Sequence, residues 1–408
     1  MSRIGSDERA DVIVLGGGLT GLALAGALGH AGCRVVVVER APLASLVEPA
    51  HDGRVTAIAR GSQILLATIG VWRHVGEEAQ PIRDIVVGEA GSPIRVRYDH
   101  RDVGREPLGW IVPNRAIRQA LMARLAELTG VRILAPATMA GMDRTLTGAV
   151  VRLADGAMLR GDLVAVCDGR RSGIRESVGI GARSWAYGQT GIVATLAHDR
   201  PHRGLAVERF FPDGPFALLP MTGNRCSIVW ALRDDLARDV RALDDGAFEA
   251  EVSERMGDVF GPLRLEGARW YYPLVLVWAD AYTARRLVLV GDAAHGIHPI
   301  AGQGWNLALR DVAAAAEIVA DRVRLGLDPG DDVALERYAA WRRFDSLALV
   351  AITDGINRLF ANDIGPLKLA RNLGLGLVER TPPAKRFFMR HAMGLVGELP
   401  RAMRGLPL

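Results

Sequence analysis

A chain of 408 residues is longer than one simple hydrophobic core serves and suits two or three interleaved domains. Its composition, 49% apolar and 24% charged, is that of an ordinary globular protein, and a net charge of +4 gives no reason to expect a nucleic-acid partner. Cys33, Cys167 and Cys226 are scattered with no CxxC pair, so neither a disulfide framework nor a zinc site is expected, and a reducing cytoplasm fits. The N-terminus shows no signal-peptide layout, and no run reaches the ~18 apolar residues that a membrane-spanning helix needs. Only Lys368 and Lys385 are lysines, which reads as a genomic preference for arginine.

The first elements in chain order form a βαβ unit. Residues 11–15 (DVIVL) read as a buried parallel strand that stops abruptly at glycines. Gly16, Gly18 and Gly21 follow in GGGLTG, then a helix of small residues, then an apolar strand at 35–38 that ends on Glu39. Strand, turn, helix, strand and acid in this order make the dinucleotide fingerprint. The first glycine permits the tight turn, the second lets the backbone approach a pyrophosphate, and the third allows close helix–strand packing. The helix N-terminus faces the phosphate charge, and Glu39 can accept from ribose hydroxyls. The bland alternative is a glycine-rich turn with no ligand.

Two later motifs separate FAD from NAD. In residues 163–175, LVAVCDGRRSGIR, an apolar strand runs into Asp168 and Gly169 and then a turn with Arg171 and Ser172. In residues 287–311, a strand ends at Gly291 and Asp292, followed by Pro299, the turn Gly302–Gln303–Gly304, and a long alanine-rich helix. A strand-end aspartate can accept a ribose or ribityl hydroxyl, and the turn with its helix offers N–H groups to the negative edge of an isoalloxazine. Taken singly, each is turn chemistry. Together, each closing an apolar strand behind the fingerprint, they point to FAD. Only one GxGxxG occurs, so NAD(P)H or another reductant would visit transiently. His295 and His298 flank the third motif, where a histidine can act as a base or merely cap or pack the loop. No catalytic residue is assigned and no metal site is seen.

These motifs resemble those of the class A flavoprotein monooxygenases, and more closely the ubiquinone-biosynthesis hydroxylases. The likeness is carried by 52–72 (DGRVTAIARGSQILLATIGVW), 111–121 (IVPNRAIRQAL), 186–196 (AYGQTGIVATL), 214–221 (GPFALLPM), 291–311 and 379–394 (ERTPPAKRFFMRHAMG). The resemblance implies FAD as cofactor, a polyprenylated phenol as substrate, and ring hydroxylation by molecular oxygen through a flavin C4a-hydroperoxide, with water kept away. It places Arg54 at the flavin phosphates and Asn114 at the ribityl chain; the alternatives are a surface salt-bridge partner and a helix N-cap. Trp305 departs from the smaller aliphatic residue expected after the turn, and either narrows the substrate cavity or packs under the helix.

The expected fold is α/β: a Rossmann-like FAD-binding domain of the glutathione-reductase type with an inserted β-sheet substrate domain and C-terminal helices. The FAD-binding domain is discontinuous, at 1–80, 100–180 and 281–345. The β-rich substrate domain takes 81–99 and 182–280, and 346–408 is helical. An FAD-dependent reductase or epoxidase of a prenyl chain would share these features, as would a flavin-holding structural subunit of a quinone-synthesis complex. A halogenase is disfavoured, because both lysines lie in the tail and no WxWxIP segment occurs. Residues 364–408 carry eight Lys or Arg against Glu379 and Glu398, interleaved with apolar residues. Such a tail suits an anionic membrane surface at the inner face, or partner proteins of a quinone-synthesis complex. The alternative is a tail folded back over the flavin domain.

Overall fold

The computed structural model describes residues 9–48, 52–257, 259–297, 302–360 and 365–408. Strand Arg9–Leu15, buried along nearly its whole length, is the centre of a parallel sheet. The strand order is Thr283–Ala284, Leu287–Leu289, Met158–Val166, Arg9–Leu15, Val35–Val38 and Val131–Leu134, with Ala149–Leu153 and Met139–Arg144 extending from Met158–Val166 as an antiparallel flap. Val12 pairs with Val35 on one side and Leu163 on the other, which brings the ends of the first and second motifs to the same sheet edge. Leu287–Leu289 continues the parallel run beside Met158–Val166, so the third motif leaves the sheet there too. Helices Leu19–His30 and Gly304–Arg324 share the core with these strands. Their small buried residues, Ala23, Ala25 and Ala27 in one and Ala313–Ala316 in the other, let the backbones come close.

A second sheet of eight strands carries the order His295–Gly296, Leu263–Ala279, Ala182–His198, Arg225–Arg233, Gly214–Met221, Leu205–Phe211, Asp84–Glu89 and Arg95–Asp99. Helices Asp234–Ala242 and Asp245–Met256 cover one face, around Phe216, Trp230 and Phe248. The other face looks back toward the first sheet across a large cavity. A three-stranded sheet, Val55–Ala59, Gly109–Pro113 and Gln80–Ile82, lies between them.

Two of the expected segment limits fall inside elements. The limit at 80/81 cuts strand Gln80–Ile82, whose partner is Gly109–Pro113. The limit at 345/346 cuts helix Asp332–Phe360, which runs on because no proline interrupts it. The tail, helices Gly365–Arg380 and Pro382–Ala392 and a final turn, folds back onto the molecule. Gly61 N–H bonds the Met393 carbonyl, Thr68 Oγ1 donates to that of Ala402, and Ala402, Met403 and Leu408 are buried in the main core. No helix among the described residues is long and apolar enough to cross a membrane.

Candidate functional site

Three turns meet at the C-terminal edge of the parallel sheet, and the first and third are shaped by contacts that only glycine permits. Gly16 has φ +107°, and a Cβ there would sit 2.6 Å from the Cys167 carbonyl oxygen. A Cβ on Gly21 would fall on the Gly16 carbonyl. Gly18 differs: its backbone is extended, φ −70° and ψ −176°, and a Cβ would meet nothing within 4 Å. The helix that starts beside it has no side-chain cap, so its first N–H groups face that open space. Glu39 accepts from Gly17 N–H at 2.6 Å and Ala41 N–H at 2.8 Å, one on each carboxylate oxygen, and thereby ties the first turn to the end of the second strand.

In the second motif Asp168 does not line the cavity, although Cys167, Gly169, Arg170 and Arg171 do. Its carboxylate turns back to accept from Ile174 N–H at 3.4 Å, at the start of the short helix Gly173–Ser177, while Ser172 caps Arg175 N–H. In the third motif Gly291 takes φ +65°, and Asp292 faces the cavity with Arg170 Nη2 at 3.3 Å. Pro299 and His298 lie outside the described residues. His295, for which the sequence left open a base or a capping and packing role, is buried away from the cavity, with Nε2 2.6 Å from Asp311 Oδ2. It holds the turn in place: Asp311 also accepts from Gly291 N–H at 2.9 Å and from Arg342 Nε at 2.7 Å.

Gly302 has φ +62° and rests against Ala57, with 2.8 Å between an added Cβ and that of Ala57. Asn306 staples the same turn, donating to the carbonyls of Ala57 and Gly302 and accepting from Ala59 N–H. Gln303 and Gly304 line the cavity where helix Gly304–Arg324 begins without a side-chain cap. Trp305 lines the cavity and also packs on the main core, so both readings of it hold.

Arg54 and Asn114 converge on a residue that the sequence reading missed, Asp52. Its Oδ1 accepts from Arg54 Nε at 2.8 Å, and its Oδ2 from Asn114 Nδ2 at 2.9 Å and Arg118 Nη2 at 2.8 Å. Burial alone would raise the Asp52 carboxyl, but these donors hold it well below the usual carboxylate range. Asn114 is thus no N-cap; it is the first residue of helix Asn114–Ala126 and locks onto Asp52 and the Thr56 hydroxyl. Arg54 is a salt-bridge partner that still lines the cavity, with its guanidinium 4.9 Å from the centre of the Tyr272 ring. Arg118 Nη1 is buried and finds no acceptor among the described residues. Asp52 and Arg118 were legible only as neighbours, in DGR and in NRAIR.

The cavity itself measures about 1980 Å³. It starts at Gly18, Arg54, Asp292 and Gly302–Trp305, crosses the inner face of the second sheet, and reaches Leu375, Phe387 and Phe388 in the tail helices. Among solved structures, p-nitrophenol 4-monooxygenase of Pseudomonas putida has the same fold, with a TM-score of 0.80 at 20% identity over 96% of this chain and 99% of that one. That likeness shows the fold; the class, an FAD-dependent monooxygenase, is shown by the sequence relatives. The family model described as FAD binding domain matches residues 9–347. The chain is 51% identical over 406 residues to ubiquinone hydroxylase UbiL of Rhodospirillum rubrum, covering 99% of this chain and 94% of that protein. It is 31% identical over 395 residues to 3-demethoxyubiquinol 3-hydroxylase of Escherichia coli, covering 96% and 100%. The chain belongs to the FAD binding domain family.

Proposed function

We propose that this chain hydroxylates the ring of a polyprenylated phenol in ubiquinone biosynthesis. The observation that carries this is the cavity: at about 1980 Å³ it exceeds the ~300–1,000 Å³ of an ordinary small-molecule site and continues from the dinucleotide cradle along an apolar wall. Such a chamber suits a cofactor, a ring and a long apolar chain together.

The cradle fits FAD. Gly18 leaves room for a pyrophosphate against an uncapped helix end, with Gly16, Gly21 and Glu39 shaping the turn. Arg54 and the unsatisfied Arg118 Nη1 supply positive charge, and Asn114 holds Arg54's partner. Gly291, Asp292 and Gly302–Gln303–Gly304 would hold the isoalloxazine end, with Pro299 in the same motif, while Asp168 shapes the second turn. The sheet face would belong to a substrate domain of 81–99 and 182–280, set into a flavin domain of 1–80, 100–180 and 281–345. When bound, FAD supplies the redox chemistry that places one atom of molecular oxygen on the ring, with NAD(P)H or another two-electron donor as reductant. The chain's part is to position the ring and exclude water, and Val193, Ala217, Leu219 and Val229 supply an apolar wall for that on the inner face.

The test is oxygen uptake by the purified holoenzyme with a prenylated phenol, with product analysis. A ring-hydroxylated product and FAD released on denaturation are expected. Oxygen on the prenyl chain, or a saturated chain, would transfer the reading to an epoxidase or reductase; phenol-independent uptake alone would end it.

The tail supports a second part of the proposal, peripheral contact with an anionic membrane surface. Leu373, Leu377, Phe387 and Phe388 are exposed, as are Arg380, Arg386 and Arg390 among them, and the cavity reaches Phe387 and Phe388. Cations near such a surface contribute about 1 kcal/mol each, and the apolar side chains add burial. Truncation is a poor test, because Ala402, Met403 and Leu408 are core residues. Instead, the full chain should cosediment with phosphatidylserine-containing vesicles at low salt, and the double variant Phe387→Ser, Phe388→Ser should lose most of that binding. Wild-type protein left in the supernatant would rule out direct lipid contact.

A further inference from the structure

Among the described residues of the second sheet that line the cavity, Glu208 alone is charged; Tyr98, Ser184 and Tyr272 are polar but neutral, and the rest are apolar or glycine. Along strand Leu205–Phe211, Ala206, Val207, Glu208 and Phe210 line the cavity, and Val207 also packs into the core on the opposite face. Directly across from Glu208 stand Ala217 on one neighbouring strand and Val87 on the other, and beyond Ala217 comes Val229. All three are apolar and line the same cavity. A carboxyl group in that row is costly, since valine or leucine would fill the wall without desolvating a polar group.

The other carboxylates on the cavity wall have cationic neighbours. Asp292 lies against Arg170, Asp345 against Arg310 and Arg342, and Glu176 against Arg175. Glu208 has no hydrogen-bond or ion-pair partner among the described residues. Burial, with no compensating donor, pushes its carboxyl up to about 7. Glu208 is half-buried, and a carboxyl set in an apolar cavity wall without a protein partner is free to take one from a bound molecule.

Its position fits that of a ring contact. Ala206, one side-chain step nearer the cradle, packs in the same small cluster as Ala57, and Gly302 rests on Ala57. Glu208 is the next residue on that face of the strand, ~7 Å further on. Beyond it lie Phe210 and, from the tail helices, Leu375, Val378 and Phe387, an apolar run suited to a prenyl chain. We propose that Glu208 accepts the hydrogen bond of the substrate's ring hydroxyl, and so determines which way the ring lies beside the flavin site. This rests on the phenol reading above.

The inference is tested with the full-length holoenzyme and two probes, 2-prenylphenol and its methyl ether, which differ only in the ability to donate. Binding is read from the change in flavin absorbance. Wild type should prefer the phenol by about tenfold or more. Glu208→Gln keeps an acceptor oxygen and should keep most of that preference. Glu208→Leu should bind the two probes within about twofold of each other, bind the ether no worse than wild type does, and release a larger share of consumed oxygen as hydrogen peroxide. Glu208→Ala replaces the leucine variant if that one does not accumulate. An unchanged phenol-to-ether ratio in the apolar variant, or no preference in wild type, overturns the assignment. If wild type shows neither phenol binding nor phenol-dependent oxygen uptake, the substrate reading itself fails, and this one with it.

Discussion

Replacing Gly18 by valine is expected to leave a folded chain that no longer holds FAD. The three fingerprint glycines are present for different reasons, and the geometry separates them. Gly16 has a positive φ and abuts the Cys167 carbonyl, and Gly21 abuts Gly16, so a side chain at either one disturbs the protein itself. Gly18 has an extended backbone open to any residue, and its Cβ would project into space that holds no protein atom within 4 Å. What a side chain displaces there is the ligand. A branched side chain between the pyrophosphate and the helix end should cost FAD affinity about a hundredfold or more, roughly 2.8 kcal/mol. The comparison must be made between apo-proteins, because bound cofactor raises apparent stability by mass action. Apo Gly18→Val should melt within a few degrees of apo wild type, while Gly16→Val and Gly21→Val should fail to accumulate as folded protein. FAD titrations that give Gly18→Val a wild-type dissociation constant would move the pyrophosphate elsewhere.

This contrast shows what kind of information the sequence held. Buried parallel strands are continuous apolar runs, and the turns that leave them need glycine, so all three motifs could be read in order from residue types alone. The Gly302 turn was legible for the same reason, whereas Glu39, expected to accept ribose hydroxyls, accepts from Gly17 and Ala41 N–H. What a strand-end acid does next was not. Asp168 and Asp292 follow similar runs, yet Asp168 turns onto its own loop, where Ile174 N–H is within reach, and Asp292 faces the cavity. His295 could be read as a base or as a loop-packing residue from its place beside the flavin turn; its partner, Asp311, lies sixteen residues further on, on a helix, and marks it as part of a structural network. Arg342 lies 31 residues from Asp311 and reads, in sequence, as one more surface arginine in WRRFD. Pairings of this length leave no local pattern. The same is true of the parallel pair Leu205–Phe211 with Asp84–Glu89, and of the tail residues that return to the core.

The Asp311 network is where the largest loss of stability is expected. Asp311 is fully buried and serves three donors: Gly291 N–H, His295 Nε2 and Arg342 Nε. Burial would raise its carboxyl, but His295 and Arg342 outweigh that and hold it below the ordinary value. A carboxylate with a depressed folded pKa contributes stability that is complete above its unfolded pKa, about 3.9, and is lost as pH falls through the folded value. This part of the fold should therefore resist acid down to about pH 4 and weaken only below it. Asp311→Ala removes the acceptor and leaves Arg342, itself almost wholly buried, with Asp345 alone. Breaking one side of a buried ion pair typically costs about 3–5 kcal/mol, because the stranded charge stays desolvated. It also releases Gly291 N–H from the turn that presents Asp292, so FAD should dissociate at a lower temperature. Asp345→Asn provides the comparison: Asp345 is 31% exposed, and Arg342 would keep Asp311. A modest loss, under about 1.5 kcal/mol, is expected there. If urea unfolding placed Asp311→Ala within 1 kcal/mol of wild type, roughly the yield of an exposed pair, the third motif would have to be held by something other than this carboxylate.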